Sequence, residues 1–415
     1  MNSLMSLREV QSVSLKNRLL ARWFARFISQ LDAAMAYGVV EVELPDGSLH
    51  FLGGRGPGPV ARLRLVKWRA LVRIAQSGSI GWYHAWDKGE WQAHDPVPFF
   101  DLVVRNRASF GDLARGSGLP QLWQRLRHAL KRNTHIGARR NIQAHYDLGN
   151  DFYAAWLDET MSYSSAIFAR PINGEEPLED AQRRKVSALE DRLQLRPGAN
   201  ILEIGCGWGY VSRTLAKKGH RVTAITLSPA QCDHAKASSA LLARPPDYEL
   251  IDYRDVQGIY DAIVSVEMVE AVGQAYWPVY LDQLVRLLKP GGRAALQYIA
   301  IADDVFDAYA KSVDFIQTYI FPGGMLISES RFRRLAQERG LRWEDQVSFG
   351  LDYAETLRRW RVRFDDALDA GQLPKHLDAH FLRLWRYYLM YCEGGFRGGG
   401  ITVSQVTLVK EGTTL

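Results

Sequence analysis

The spacing of apolar and polar residues divides the chain into two parts. In the first part, apolar residues recur at helical spacing over residues 15–31, which predicts an amphipathic helix. The next stretch, GVVEVELPDGSLHFLGG, alternates on both sides of a Pro-Asp-Gly turn signal and predicts a hairpin. Residues 1–127 are therefore predicted to form a small α+β domain, and the polar, basic segment 128–141 is interpreted as a linker.

From about residue 195 the pattern changes to short apolar runs separated by helical stretches. The runs include NILEIGCGWG, RVTAITLS, YDAIVSVEMVEAVG and RAALQYIAI. Strands that alternate with helices predict an α/β fold, a doubly wound, mostly parallel sheet with helices on both faces. The C-terminal GITVSQVTLVKE alternates and predicts a final antiparallel edge strand. Residues 142–415 are the predicted catalytic domain.

Composition supports packed cores and adds a basic excess. Apolar residues make up 47% and aromatic residues 11% of the 415 positions, and the formal net charge is +6. This excess fits either a solvated surface or attraction to an anionic membrane surface. No long block of lysine and arginine appears, so no nucleic-acid partner is expected.

The cysteines and the apolar runs bear on the compartment. Cys206, Cys232 and Cys392 have no paired spacing, so we expect neither disulfides nor a metal site, and a reducing cytosol fits. No signal peptide and no apolar run of membrane-spanning length is visible. We therefore expect a cytoplasmic protein that contacts the inner face of the membrane peripherally.

The stretch ILEIGCGWGY, residues 201–210, points to a nucleotide cofactor. A dinucleotide fingerprint requires glycine where Tyr210 stands, and a carboxylate at the end of the second strand, which here reads ITLS. Instead, Glu203 precedes the first glycine and gives E-x-G-x-G-x-G. This resembles motif I of the S-adenosylmethionine (SAM) methyltransferases, which implies SAM as methyl donor and the class I, Rossmann-like fold with seven strands.

Four further segments carry a more specific resemblance. They are HYDLGNDFYAAWLDETMSYSSAIF (145–168), VEMVEAVG (266–273), DFIQTYIFPGG (314–324) and YYLMYCEGGFRGGGITVSQ (387–405). Over about residues 141–415 the chain resembles the cyclopropane-fatty-acyl-phospholipid synthase family, which includes the mycolic-acid cyclopropane synthases. The first domain more weakly resembles the N-terminal domain of the bacterial synthases, which is thought to help engage lipid. Segment 145–168 would be an aromatic lid.

The resemblance implies cofactor contacts from the lid, the glycine loop, the second strand end and the loop beside the adenine. A hydroxyl at Thr226 would serve the ribose in place of the missing carboxylate. The implied cofactor-binding residues are Tyr163, Ser164, Glu203, Gly205, Gly207, Gly209, Thr226, Gln231, Tyr253 and Arg254.

The implied reaction adds the methyl group of SAM to a carbon–carbon double bond of a phospholipid acyl chain, leaving a carbocation that aromatic faces can stabilise. In the cyclopropane synthases a bound bicarbonate then removes a proton. Loss from the new methyl group closes a ring, and loss from a neighbouring carbon leaves a methyl-branched alkene. The implied catalytic residues are Glu270, Tyr353, Ser165, Gln297 and Ile299, and the aromatic candidates are Tyr153, Trp156, Tyr319, Phe321 and Tyr353.

The sequence departs from the family pattern around this anion. Ser165 replaces the cysteine of Y-S-C-A, Gln297 replaces the histidine of LHTI, and Ala271 replaces the histidine of EHVG. Ser165 and Gln297 can still donate hydrogen bonds, so bicarbonate could remain bound more weakly. Alternatively, Glu270 acts as the base if burial raises its pKa. Cyclopropane and methyl-branched products both stay open.

Two other function classes fit the sequence less well. One is a SAM-dependent methyltransferase acting on another lipid or a small amine, and the other is a non-catalytic lipid carrier. The intact glycine motif opposes the carrier. Under the leading hypothesis the partner is unsaturated phospholipid in the membrane surface, and the resemblance makes a homodimer reasonable.

Overall fold

The computed structural model describes residues 28–110 and 148–412. Residues 28–34 are helical, whereas most of the helix predicted at 15–31 and all of the linker 128–141 lie outside the described residues. The first three residues of the lid segment, 145–147, also lie outside them. The division into domains at 127 and 142 therefore stays a prediction.

The N-terminal part contains a four-stranded sheet covered by helices. Strands β1 and β2 pair antiparallel, which confirms the hairpin, and β3 runs parallel to β1. The alternation places Val40 and Leu52 inside and Glu41 outside, where Glu41 pairs with Arg62 at 2.8 Å. The sheet order is β2-β1-β3-β4, and the elements are β1 (Val39–Glu43), β2 (Leu49–Gly53), β3 (Val60–Leu65), α1 (Arg69–Asp87), β4 (Trp91–Gln92), α2 (Val97–Arg105) and α3 (Arg107–Phe110).

The second part is built on the predicted doubly wound sheet. Seven strands follow the order β11-β12-β9-β8-β5-β6-β7, and the two-residue β10 pairs with β9. Strands β5 to β9 are mutually parallel, which confirms the α/β prediction. The strands are β5 (Asn200–Ile204), β6 (Arg221–Thr226), β7 (Asp247–Leu250), β8 (Tyr260–Val266), β9 (Leu288–Ile301), β10 (Ile327–Ser328), β11 (Leu341–Ser348) and β12 (Ile401–Lys410).

The C-terminal strand β12 is antiparallel to β9, as predicted, but it does not lie at the edge of the sheet. The edge is formed by β11, which pairs with the other side of β12. The prediction of an edge strand was wrong because LRWEDQVS, the sequence of β11, is too polar to be recognised as a strand from its pattern. This central position buries residues of β12, including Gln405.

Helices cover both faces of the sheet and join the two parts. Helices α12 and α13 pack against each other, and α13 also packs against α2 of the N-terminal part. This approach requires glycine, since a Cβ at Gly394 would lie 2.3 Å from Cβ of Phe100. The helices are α4 (Asn150–Ala154), α5 (Leu178–Leu193), α6 (Tyr210–Lys217), α7 (Pro229–Ser239), α8 (Trp277–Leu287), α9 (Asp303–Ala310), α10 (Phe315–Tyr319), α11 (Glu329–Gln337), α12 (Gly350–Asp369) and α13 (Ala379–Arg397).

None of the helices within the described ranges combines the length and the apolar character needed to cross a membrane.

Candidate active site

A cavity of about 950 Å³ lies at the carboxyl ends of the parallel strands and continues to the inner face of the N-terminal sheet. Doubly wound sheets bind their ligands at this edge. Of the ten predicted cofactor residues, eight line the cavity, and Gly209 and Arg254 do not. Of the five predicted catalytic residues, Glu270, Ile299 and Tyr353 line it. Ser165 and Gln297 lie behind its wall.

The glycine loop follows β5 directly and has the left-handed backbone that glycine adopts without strain. Gly205 has φ +82° and Gly207 has φ +50°. A Cβ at Gly205 would lie 2.9 Å from Cγ of Met268, whereas a Cβ at Gly207 would meet no protein atom within 4 Å. The loop therefore leaves open space beside Gly207, where a ligand can approach the backbone. Gly209 instead allows close packing, because its Cβ would lie 2.7 Å from the Tyr248 hydroxyl.

Glu203 is the last but one residue of β5, just before this loop, and is buried. Burial raises the pKa of its carboxyl group to about 8. Within the described residues, its Oε2 has no hydrogen-bond partner. Hydrogen bonds from Ser212 oppose this rise in pKa, and a cationic ligand group beside the free oxygen would lower the pKa further and favour the ionised carboxylate, so the position suits such a group.

The end of β6 places the two other predicted polar contacts together. The Thr226 hydroxyl donates to Oε1 of Gln231 at 3.0 Å. Ser228 holds the intervening turn, since its hydroxyl accepts the Gln231 backbone N–H at the start of α7. Both Thr226 and Gln231 are buried at the cavity.

The loop after β7 presents Tyr253 to the cavity, while Arg254 points elsewhere. Arg254 forms a salt bridge of 2.6 Å with Asp252, and its guanidinium lies 5.5 Å from the Tyr253 ring centroid. Arg254 thus packs beside Tyr253 and is not among the residues that line the cavity, and its predicted contact with the cofactor stays a prediction.

The lid segment contributes Tyr163 and Ser164 to the cavity wall. Helix α5 adds Lys185, a residue that sequence reasoning missed. The Lys185 ammonium is fully buried and donates to the Ser164 hydroxyl at 2.7 Å. Burial lowers its pKa to about 8, against the opposing charges of Glu267, Asp158 and Glu203. A signal was available, since Lys185 lies four residues from both Ala181 and Leu189 on the buried face of α5.

The centre of the catalytic end is a second missed residue, Glu267, which follows β8. Its Oε1 accepts the Ser165 backbone N–H at 2.9 Å and Nε2 of Gln297 at 2.8 Å. Its Oε2 accepts the Tyr353 hydroxyl at 2.7 Å. Burial raises the pKa of Glu267, and these three donors and Lys185 oppose that rise. Three predicted catalytic positions thus converge on a carboxylate of the chain itself.

Backbone geometry also distinguishes Glu267. Its φ is +49°, in the left-handed region that favours glycine and costs other residues of order 1–3 kcal/mol. The hydrogen bonds of its side chain hold it there. The sequence signal was a carboxylate at the carboxyl end of a central strand, but its conformation cannot be deduced from the letters VEM.

Glu270 is the second carboxylate at this end of the cavity. Its Oε1 accepts the Ile299 backbone N–H, and its Oε2 has no hydrogen-bond partner in the described part of the chain. Burial, and then the nearby charge of Glu267, raises the pKa of Glu270 to about 8. Glu270 is therefore mainly protonated at neutral pH, and its role as the base stays a prediction.

The five aromatic residues proposed to stabilise the cation divide into those that line the cavity wall and those that lie behind it. Phe321 and Tyr353 line the cavity, while Tyr153, Trp156 and Tyr319 do not. Trp156 supports the wall from behind, with its ring centroid 5.6 Å from that of Tyr163. Sequence reasoning missed further aromatic residues of the wall, among them Tyr388 and Phe396.

The residues at the glycine end fit SAM. Glu203 offers a free oxygen to an ammonium group, the gap beside Gly207 admits a ligand, and Thr226 with Gln231 offers polar atoms to a ribose. Tyr253 adds an aromatic face for an adenine. Such a cofactor would supply an electrophilic methyl group to the catalytic end.

Comparison with protein families decides the classification. Residues 133–406 match the family model described as mycolic acid cyclopropane synthetase. The chain belongs to this family. As a member of the cyclopropane synthase family it is a SAM-dependent methyltransferase, with SAM as methyl donor.

Two curated relatives match nearly the whole chain. The tuberculostearic acid methyltransferase UfaA1 of Mycobacterium tuberculosis is 37% identical over 97% of this chain and 92% of its own length. The cyclopropane-fatty-acyl-phospholipid synthase of Escherichia coli K12 is 33% identical over 90% of this chain and 96% of its own. Among solved structures, the mycolic acid cyclopropane synthase CmaA1, complexed with SAH and CTAB, aligns with a TM-score of 0.61 and 30% identity over 66% of this chain and 98% of its own.

Proposed function

We propose that the protein methylates a carbon–carbon double bond in an unsaturated phospholipid acyl chain, that Glu267 is the base, and that the product is methyl-branched. One observation carries the proposal. The Glu267 carboxylate accepts hydrogen bonds from Ser165, Gln297 and Tyr353, which are positions where the family resemblance implies a bound bicarbonate.

The Glu267 carboxylate makes a bicarbonate ion unnecessary. Its two oxygens already accept three donors, and a second anion beside a buried carboxylate would be repelled. Lys185 is the buried cation that faces Glu267. We infer that a side-chain base replaced a diffusible one and that Ser165 and Gln297 belong to this replacement.

The shape of the cavity supports an acyl chain over a small amine. Beyond the catalytic end the cavity is lined by apolar side chains of the N-terminal strands and helices, which suit a long hydrocarbon chain and offer no anchor to an amine. These include Val40, Val42, Leu52, Leu63, Leu65, Leu71, Ile74 and Phe99. The names of the relatives agree, since one is a cyclopropane-fatty-acyl-phospholipid synthase and one a tuberculostearic acid methyltransferase.

The roles of the residues follow from their contacts. SAM held beside Glu203, Gly207 and Thr226 would supply the methyl group: its sulfur–methyl bond would break, and the acyl chain would gain a carbon–carbon bond and the positive charge. Glu267 accepts a proton from a chain carbon beside that charge, and the C–H electron pair becomes the new double bond. Hydrogen bonds from Tyr353 and Gln297 favour the ionised carboxylate, while the faces of Phe321 and Tyr353 stabilise the cation by about 1–2 kcal/mol each.

We also propose that the protein acts on phospholipid at the inner membrane surface from the cytoplasm. The net charge of +6 supports attraction to anionic lipid. A homodimer rests on the family resemblance alone.

Proton NMR of the acyl chains tests the proposal, after incubation of the protein with SAM and liposomes of monounsaturated phospholipid. We expect a vinylic signal together with a new methyl signal. Upfield ring protons would overturn the branched product, because ring closure and branching add the same mass but differ in these signals. Methylation of added amines in place of the phospholipid would overturn the substrate class.

A further inference from the structure

Behind the base, a line of polar side chains crosses the sheet from β9 to the surface end of α5. Gln297 and Gln405 are directly opposite each other in the antiparallel pair β9 and β12, and both are 1% exposed. Nε2 of Gln405 donates to Oε1 of Gln297 at 3.0 Å. Buried amides deep in a sheet are costly unless every donor and acceptor has a partner. Neither glutamine side chain lines the cavity, so any effect of these residues on the reaction must act through the groups that they hydrogen-bond.

The direction of these hydrogen bonds is set by groups that can only donate or only accept. Arg192 can only donate, and its Nε donates to Oε1 of Gln405 at 3.2 Å. This leaves the amide nitrogen of Gln405 facing Gln297. The backbone oxygen of Lys185, which can only accept, receives the second N–H of that nitrogen at 3.3 Å.

The orientation of the Gln405 amide in turn fixes the orientation of the Gln297 amide. Since Oε1 of Gln297 accepts from Gln405, its Nε2 faces the catalytic end. One N–H donates to Oε1 of Glu267 at 2.8 Å and the other to the backbone oxygen of Ser165 at 3.1 Å. A rotated Gln297 would place its oxygen against both the Glu267 carboxylate and a carbonyl. The base therefore receives a donor, which favours its ionised form.

We propose that Gln405, supported by Arg192, is a positioning residue that fixes the Gln297 amide as a donor to Glu267. This rests on the proposed role of Glu267 as base. Gln405 touches neither the cavity nor Glu267, so its influence on the reaction passes through Gln297 alone.

Other titratable groups lie around Glu267 and remain unchanged in the test. They are Lys185 from α5, Tyr353 from α12 and Glu270 from the turn after β8, with Glu203 and Asp158 around Lys185. Their contributions are the same in the original chain and in a variant at Gln405. A variant at Gln405 that adds no charge therefore reports the orientation of Gln297, and Gln405→Met is such a variant, because it removes the donor to Gln297 without a new carboxylate. A shift found in Gln405→Glu but absent from Gln405→Met would be the direct effect of the added charge and would overturn the positioning role.

Gln405→Glu tests the inference with almost no change in shape. A carboxylate at 405 can accept from Arg192 but cannot donate to Gln297, so Gln297 is drawn to turn its nitrogen away from Glu267. Without that donor the pKa of Glu267 rises, and the base becomes protonated over a wider pH range. We expect the acid limb of the kcat profile to move up by about one pH unit, which is a tenfold loss of kcat below it, with KM for SAM unchanged.

Gln283→Glu is the matched control, because Oε1 of Gln283 also accepts from an arginine, Nε of Arg286 at 3.0 Å, on the exposed surface. It should keep the original profile. If Gln405→Glu does not fold, Arg192→Met can be used instead, because it removes the donor to Oε1 of Gln405. The acid limb of its kcat profile should also move to higher pH, but by less than one unit.

A Gln405→Glu profile that coincides with the original would overturn the positioning role, even if Glu267→Gln is inactive. An active Glu267→Gln variant would instead overturn the proposed function.

Discussion

The two ends of the cavity are built in opposite ways. The cofactor end consists of contiguous segments, the loop from Glu203 to Gly207 and the turn from Thr226 to Gln231. The base end is formed by groups that are distant in the sequence, from Ser165, Glu267, Gln297 and Tyr353. The hydrogen bond between Ser165 and Glu267 alone joins residues 102 positions apart. The first end can be recognised as a motif, and the second exists only in the folded chain.

The two ends also differ in how well their polar groups are satisfied. At the cofactor end, Oε2 of Glu203 lacks a partner among the described residues and the space beside Gly207 is open. At the base end, both oxygens of Glu267 accept hydrogen bonds. The first arrangement requires a ligand to complete it, while the second is complete without a bound anion.

The largest effect is expected for Glu267→Gln, which should lower kcat without changing the binding of SAM at the cofactor end. Glu267→Gln keeps the shape but removes the proton acceptor, so kcat should fall about 10²–10⁴-fold, the range of general base catalysis. The dissociation constant of SAM, measured by calorimetry, should stay within twofold. A variant that retains more than a tenth of the original kcat would show that the base lies elsewhere.

Glu270→Gln sharpens the same comparison, because it tests the other carboxylate. Burial raises the pKa of Glu270 to about 8, so at pH 7 the original group is already mainly neutral and glutamine resembles it. Its kcat at pH 7 should fall far less than that of Glu267→Gln. The reverse order would return the role of base to Glu270.

At the cofactor end, Glu203→Gln should weaken SAM binding while kcat at saturating SAM changes little. A hydrogen bond to a charged group contributes about 1.5–3 kcal/mol, which corresponds to roughly 10–150-fold in the dissociation constant. Titration calorimetry measures the affinity directly. An unchanged affinity would mean that the free oxygen of Glu203 does not meet the cofactor.

The smallest effect concerns the space beside the glycine loop. Gly207→Ala should weaken SAM binding about tenfold, or about 1.4 kcal/mol, because its Cβ would occupy the open space at the cavity. Gly198→Ala is the control, since Gly198 has φ +72°, an equally open Cβ position and no place in the cavity wall. Both variants should lose about 1–2 kcal/mol of unfolding free energy from backbone strain. Equal SAM affinities in the two would remove Gly207 from the cofactor site.

The contrast explains how far the sequence predicts the molecule. The parallel sheet, the hairpin and the glycine loop follow from local patterns. The contact set of Glu267 depends on β8, β9, α12 and the lid meeting at one point, and the amide of Gln297 is oriented by β12 across the sheet. The polar strand β11 was missed because pairing with β12 holds it in the sheet, while its own residues are mostly polar and only Leu341 is buried.

The central claim is that Glu267 occupies the place of a bound base, and bicarbonate rescue tests it most directly. Glu267→Gly removes the carboxylate, and glycine readily adopts the φ of +49° found there. Rates would be measured for the original protein and for the variant in bicarbonate-depleted buffer and across a bicarbonate titration. The account predicts that the original rate is independent of bicarbonate and that the variant is inactive until bicarbonate restores it. An original protein that loses activity when bicarbonate is removed would contradict the account.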